Sequence, residues 1–371
     1  MGELFMALTA GIVGLPNVGK STLFNAITQA GAIAANYPFA TIDPNVGIVE
    51  VPDERLQKLT TLVSPQKTVP ATFEFTDIAG LVKGASLGEG LGNQFLAHIR
   101  EVDAIVQVVR AFDNDDVIHV EGTVDPLRDI DIINSELIFA DIETVEKRMK
   151  RLAKMAEMKD KDAAVEYPAL VRIHEAFMAG KPARSVDLND IEMPYIKQLT
   201  LLTMKPILYV ANVSEADIAS FETNAYYQKI KAFAEGESSE VIVVSAQIEA
   251  ELSELDEEDK LEFLTDLGLT ESGIGRLTKA AYHLLGLATY FTAGKQEVRA
   301  WTFMRGMKAP ACAGIIHTDF ERGFIKAEVI SYDDLLAYGN ENNARSAGKY
   351  RMEGKEYVMQ DGDIVHFRFN V

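Results

Sequence analysis

One cysteine in 371 residues, Cys312, leaves no internal disulfide to form and points to a reducing compartment, read here as the cytoplasm. No apolar run approaches the length of a membrane span, and no charged lead followed by a small-residue cleavage site opens the chain, so no membrane partner is expected. Positive charge is also scarce. The 36 Lys and Arg face 56 Asp and Glu, and a net charge of −20 argues against a protein that coats nucleic acid by bulk electrostatics. The imbalance is uneven: from Thr289 onward 11 basic residues meet 11 acidic ones, so the tail is the part better suited to RNA. Met1 to Leu4, ahead of Met6, read as extra residues and are excluded from fold reasoning. At this length two or three domains are expected.

What is present centres on Gly14-Leu15-Pro16-Asn17-Val18-Gly19-Lys20-Ser21-Thr22, which fits G-x-x-x-x-G-K-[ST]. In this pattern a glycine-rich turn aims backbone N–H groups at phosphates, the lysine adds charge for the outer ones, and Ser21 would ligate magnesium. Ala10 to Val13 reads as a buried strand and Leu23 to Ile27 as the start of a helix. That context suits a phosphate, because the helix N-terminus faces the anion. In the proline-punctuated loop from Asn36 to Asn45, Thr41 is the candidate second magnesium ligand and γ-phosphate sensor; the plainer reading is a capped turn.

Gly47 to Val51 and Ala71 to Thr76 alternate or run apolar as strands do. The second ends in Asp77-Ile78-Ala79-Gly80, where Asp77 would reach magnesium through water and the Gly80 N–H would meet the γ-phosphate. Two absences then bear on chemistry. Leu81 stands where familiar GTPases carry a glutamine that orients water, and leucine can do neither half of a hydrogen bond, so hydrolysis is slow or positions its water differently. His119, in the acidic loop after the strand Asp103 to Val109, is a candidate water-positioning group, against the alternative of a solvated loop. The second absence is N-K-x-D: after the strand Lys205 to Ala211 the chain has Asn212-Val213-Ser214-Glu215. Glu215 is a methylene longer than Asp and Val213 has no amine, so the two-point grip on guanine is displaced and adenine fits better. Ser245-Ala246-Gln247, after Val241 to Val244, would lean on the base.

From Pro126 to Leu199 the pattern changes. Ile138, Ile142, Val145, Met149, Leu152 and Ala156 follow a coiled-coil seam, and Leu170, Ile173 and Phe177 give a returning stripe, so a helical arm interrupts the nucleotide domain. Its outer charged face could dock a partner. The run Glu249 to Asp259 reads as a solvated helix face, and Ile274 to Leu287 as the closing helix. A small β-rich module follows, with strands Glu297 to Phe303, Gly323 to Val329 and Asp363 to Phe369. His317-Thr318-Asp319-Phe320 reads as a turn rather than a metal cluster.

Together and in order, the Gly14–Thr22 turn, Asp77-Ile78-Ala79-Gly80-Leu81-Val82-Lys83-Gly84-Ala85 and His317-Thr318-Asp319-Phe320-Glu321-Arg322-Gly323-Phe324 resemble the YchF branch of the Obg-related P-loop proteins, the Obg-like ATPases. The resemblance covers essentially the whole chain. It implies an α/β fold: a Ras-like P-loop domain over 6–125 and 200–288, a coiled-coil arm over 126–199, and a ubiquitin-like (β-grasp) TGS domain over 289–371. It also implies ATP preferred over GTP, Mg2+, and association with the ribosome, as large subunit or whole, with RNA contacts through the TGS domain and arm. Translation or stress response is the process it suggests. Carried over, Asn17, Val18, Gly19, Lys20, Ser21 and Thr22 hold phosphates, Ser21, Thr41 and Asp77 the magnesium, and Asn212, Val213, Glu215, Ser245, Ala246 and Gln247 surround the base. Lys20, Thr41, Gly80 and His119 form the catalytic set. Leu87 stands where relatives often carry lysine, which puts one phosphate or RNA contact in question. Asn17 occupies a position that coordinates K+ in related enzymes. A GTP-hydrolysing switch and a non-enzymatic, nucleotide-stabilised adaptor are the alternatives.

Overall fold

The computed structural model describes residues 8–34, 45–78, 91–114, 122–158 and 160–370. The first strand, β1 (Thr9–Val13), leads through the glycine-rich turn into α1 (Lys20–Ala34), followed by β2 (Val46–Glu50), α2 (Glu54–Val63), β3 (Lys67–Val69) and β4 (Thr72–Asp77). Then come α3 (Leu91–Glu101), β5 (Ala104–Arg110), the long α4 (Pro126–Glu157), α5 (Lys161–Met178) and α6 (Met193–Lys197). The middle closes with β6 (Ile207–Asn212), α7 (Ala225–Gly236), β7 (Glu240–Val244), α8 (Ala246–Glu254), α9 (Glu257–Asp266) and α10 (Gly273–Leu284). The last third holds β8 (Leu287–Ala293), β9 (Glu297–Met304), α11 (Ala309–Ile316), α12 (Thr318–Arg322), β10 (Phe324–Ser331), α13 (Tyr332–Tyr338), α14 (Glu341–Ser346), β11 (Arg351–Glu353) and β12 (Asp363–Phe369).

These elements form two compact units, Leu8–Gly47 with Glu74–Ala281 and Ile48–Phe73 with Tyr282–Val371. The first sheet runs β2-β4-β1-β5-β6-β7, and the pairs from β4 to β7 are all parallel. Every residue of β5 and β6 is buried, which is why both read as continuous apolar runs rather than alternating ones. The chain leaves β1 towards β4 on one side and reaches β5 on the other. Such a reversal opens a crevice at the carboxyl ends of the strands.

In the same unit α4 packs along α5. Ile138, Val145 and Leu152 are buried against Leu170, Ile173 and Phe177, with Ile142 and Met149 partly buried beside them. Two carboxylates are anchored in this hairpin. Glu166 accepts both Nε and Nη2 of Arg148 at 2.6 Å, and Asp141 takes the Leu202 and Thr203 N–H groups and the Thr203 hydroxyl. Burial raises the Asp141 carboxyl above its ordinary range, against the pull of those three donors.

The second unit is built on a mixed sheet in the order β11-β10-β12-β8-β9-β3, parallel where β12 meets β8 and where β3 meets β9, antiparallel elsewhere. Its core gathers Tyr290, Phe303, Cys312, Val329 and Phe367. The closing helix stops at Leu284, short of its expected end at Leu287. Gly286 takes φ +69°, a conformation that ends a helix, and the apolar run after it becomes β8.

Candidate nucleotide site

The turn between β1 and α1 has the backbone its sequence demands. Gly19 sits at φ +93° and Asn17 at +64°, the left-handed region that glycine enters freely and asparagine tolerates. A Cβ on Gly19 would also lie 2.2 Å from Asn212 Nδ2, and one on Gly14 would lie 3.0 Å from the Val108 carbonyl. The glycines thus serve close approach as well as curvature. Leu15, Pro16, Asn17 and Gly19 to Thr22 line a cavity of about 470 Å³ at the head of α1, while the Val18 side chain is buried. There the first N–H groups of the helix lack intrahelical acceptors, an arrangement that suits an anion. Register aligns Ile12 with Asp77, and Lys20 Nζ forms an ion pair with the Asp77 carboxylate. Lys20 is 8 % exposed.

A second cleft of about 660 Å³ shares Asn17, Gly19 and Thr22 with the first and extends to Asn212 through Ala216 and Ser245 through Gln247. Asn212 joins its two walls. Its Nδ2 donates to the Val18 carbonyl at 2.8 Å and its Oδ1 accepts from the Ala246 N–H at 2.9 Å, with the side chain buried. Val213 is buried, its N–H bonded to the Val244 carbonyl. Ser214 caps the following 3-10 turn through Asp217, which leaves Glu215 exposed at the cleft rim. Among the described residues Ser245 Oγ is buried without a hydrogen-bond partner, and Ser245 lines the same cleft, an unspent polar group of the kind a ligand satisfies. Gln247 is exposed and donates to Glu251.

The predicted residues Asn17, Gly19 to Thr22, Asn212, Val213, Glu215 and Ser245 to Gln247 therefore line two adjoining cavities, the predicted Val18 is buried and lines neither, and Asp77 meets Lys20 at their edge. Thr41, Gly80 and His119, with Leu81 and Leu87, lie outside the described residues. Sequence reasoning missed Phe112, which lines the second cleft with Asp113 and Asn114. Arg110 sets it in place, donating Nε to the Phe112 carbonyl at 3.0 Å with its guanidinium 4.7 Å from the ring centre. The available signal was an aromatic residue two positions beyond the carboxyl end of a central strand.

The acidic run needs a correction at its first member. Glu249 is buried rather than solvated, accepting from the Gly273 N–H at 2.7 Å and the Ile274 N–H at 3.2 Å at the start of α10. Burial raises its carboxyl above the ordinary range although both bonds pull the other way. His317 caps α12 through the Asp319 N–H, and among the described residues no group of three or more His, Cys, Asp or Glu is placed to hold a metal. No helix among them is long and apolar enough to cross a membrane.

Comparison with known proteins agrees with this geometry. A family model described as "50S ribosome-binding GTPase" matches residues 9–162, and the YchF-GTPase C-terminal model, described as "Protein of unknown function", matches 287–370. The chain is 67% identical over 366 residues to the "Ribosome-binding ATPase YchF" of Bacillus subtilis, covering 99% of this chain and 100% of that one. With the protein of the same name from Escherichia coli O157:H7 it shares 52% over 366 residues, at the same coverage. Among solved structures, the YchF GTPase of Schizosaccharomyces pombe superposes with a TM-score of 0.89 at 44% identity, covering 99% of each chain.

Proposed function

Because the chain belongs to the YchF family, we propose that it is a ribosome-associated nucleotide switch that binds ATP in preference to GTP and slowly hydrolyses it to ADP and phosphate. The observation that carries the base preference is the pair Val213 and Glu215. The first is buried and the second projects from the rim, so neither stands as the lysine and aspartate of a guanine site would. An adenine exocyclic amine needs only acceptors, and the cleft offers the Ser245 hydroxyl, with Phe112 for the ring.

The N–H groups of Asn17 to Thr22 cradle the phosphates, and Lys20 holds its charge against the outer ones. Ser21 and Asp77, with Thr41, are hard oxygen donors of the kind Mg2+ takes and would hold the ion, which would supply charge neutralisation to the phosphates. Gly80 and His119 complete the catalytic set: Gly80 offers an N–H to the γ-phosphate, and His119 orients the water that Leu81 cannot. Asn17, at the junction of the two cavities, is the residue assigned to K+. A rate equal in sodium and potassium would remove that assignment. We read α4 and α5 as a coiled-coil arm over 126–199 and the β8–β12 sheet as a β-grasp TGS module over 289–371, with the nucleotide domain over 6–125 and 200–288. Both appendages report nucleotide state to the ribosome in the cytoplasm.

Phosphate release from Mg-ATP by the wild type and by Lys20→Ala tests the hydrolytic reading, with circular dichroism to follow the fold. Turnover lost with the fold intact supports a switch. Turnover equal in the two proteins would remove Lys20 from the chemistry, and no release from either would leave a nucleotide-stabilised adaptor.

A further inference from the structure

The second unit carries a cleft that the nucleotide reading does not use. Alternation along β12 sends Val365 and Phe367 into the core and turns Ile364, His366 and Arg368 to the other face of the sheet, where Glu328 of β10 stands in register with His366. There the sheet, the end of α2 and the α13–α14 corner line a cleft of about 570 Å³, a size at which small ligands are held. Glu328 is 6% exposed and accepts from two arginines, Arg345 Nη2 on Oε2 at 3.1 Å and Arg368 Nε on Oε1 at 3.0 Å. Hydrogen bonds from Arg368 and Arg345 hold its carboxyl below the ordinary range, so it is ionised at neutral pH. One carboxylate thus anchors two cations. A guanidinium carries more N–H groups than one carboxylate oxygen uses, and the rest of both find no acceptor among the described residues. The two arginine side chains are 41% and 50% exposed, so these groups face the cleft while the carboxylate is covered. Tyr350 steadies Arg345, whose guanidinium carbon lies 3.9 Å from the ring centre. Lys295, bonded to the Val63 carbonyl, brings the lining to three cations against Glu328 and Glu341, in a chain of −20. The opposite end is aliphatic, with Leu62, Val63 and Leu335.

We infer that this cleft binds a small organic anion, a carboxylate or phosphate head on an aliphatic body, with the head bridging Arg345 and Arg368 and the body lying on Leu62, Val63 and Leu335. The planar fork of a guanidinium matches either head, and two forks fixed on one buried carboxylate are set in place before the ligand arrives. Aliphatic side chains at the far end suit an alkyl body better than a nucleobase, which wants a ring to stack on. None of these residues belongs to the site of Lys20 and Asn212, so the inference stands or falls apart from the nucleotide reading.

The test uses the full chain in excess Mg-ADP, which keeps the phosphate turn from competing for the probes. Hexanoate, hexyl phosphate, acetate and inorganic phosphate are titrated while the arginine Nε–H signals are followed by NMR. The expected result is one site per chain, with the hexyl phosphate and hexanoate at least about tenfold tighter than their short counterparts, because buried methylenes multiply affinity. The tighter of those two names the head. Glu328→Gln frees both guanidiniums of their internal carboxylate and should tighten binding by at least about threefold. The neutral triple variant Glu328→Gln, Arg345→Gln, Arg368→Gln strands no buried charge and should bind at least about tenfold more weakly than the wild type, with its fold checked by circular dichroism. No binding of either alkyl probe, or equal binding by the wild type and the folded triple variant, overturns the site. Short anions that bind as tightly as the alkyl ones would leave bare charge attraction and overturn the aliphatic body. Weaker binding by a folded Glu328→Gln would make the network a structural one, and a structured RNA that displaces hexanoate would hand the cleft to nucleic acid; either result overturns the inference.

Discussion

Asn212 ties the glycine-rich turn to the Ser245–Gln247 loop, and removing it tests whether the two cavities form one site. Its amide is buried and bridges the Val18 carbonyl at 2.8 Å and the Ala246 N–H at 2.9 Å. Alanine there leaves a buried acceptor and a buried donor without partners, each costing about 1–3 kcal/mol, so roughly 2–6 kcal/mol in total. Water entering from the cleft recovers part of this, and a loss of about 3 kcal/mol is expected. With a urea slope of about 1–3 kcal/mol/M, the midpoint falls by roughly 1–3 M. Amide exchange along β6 should speed up with it, and ATP affinity should drop because the cradle loses its anchor. Asn212→Asp adds a pH signature. Its carboxyl, buried against the Val18 carbonyl, has its folded pKa raised above the unfolded value of about 3.9. The protonated acid can make both bonds, so this variant is least impaired below that value and worsens as pH rises through the folded one. Exchange along β6 and ATP affinity both equal to wild type in the alanine variant would refute the bridge.

Other consequences follow from buried groups. Glu249 has its pKa raised by burial, so its contribution to stability is fullest below the ordinary carboxylate range and diminishes as pH rises through the folded value. Glu249→Gln should flatten the dependence of stability on pH from the ordinary carboxylate range upward, while Glu249→Ala, which strands the Gly273 and Ile274 N–H groups, should cost about 1–3 kcal/mol for each group by thermal or urea melting. Cys312 is fully buried with its thiol pushed up to about 12. A thiol reagent at pH 8 should therefore label it only as its unit unfolds, and rapid labelling of the native protein would contradict that burial.

What the sequence makes legible follows from how local each cause is. The phosphate turn could be read residue by residue because glycine backbone freedom and the N-terminus of α1 are local facts. The seam from Ile138 to Leu152 was equally plain, since a helix repeats its own geometry. Phe112 was not, because nothing local distinguishes an aromatic residue at a sheet edge from one in the core, and only the fold brings it into the cleft that Asn212 lines. The pairing of β3 with β9, more than 200 residues apart, is a parallel contact between short strands with no turn to announce it. Glu249 was hidden by its neighbours. In a run of acids, charge pattern cannot say which one turns inward, and the donors that hold it lie at Gly273 and Ile274.

The base preference is measured most directly by titrating ATP and GTP, each with Mg2+, into the purified wild type and into Val213→Lys, Glu215→Asp. A cleft whose guanine grip is displaced predicts tighter ATP binding by the wild type, and a shift of at least about tenfold towards GTP in the variant, since a restored two-point contact discriminates strongly. Tighter GTP binding by the wild type, lost on Glu215→Ala, would contradict it.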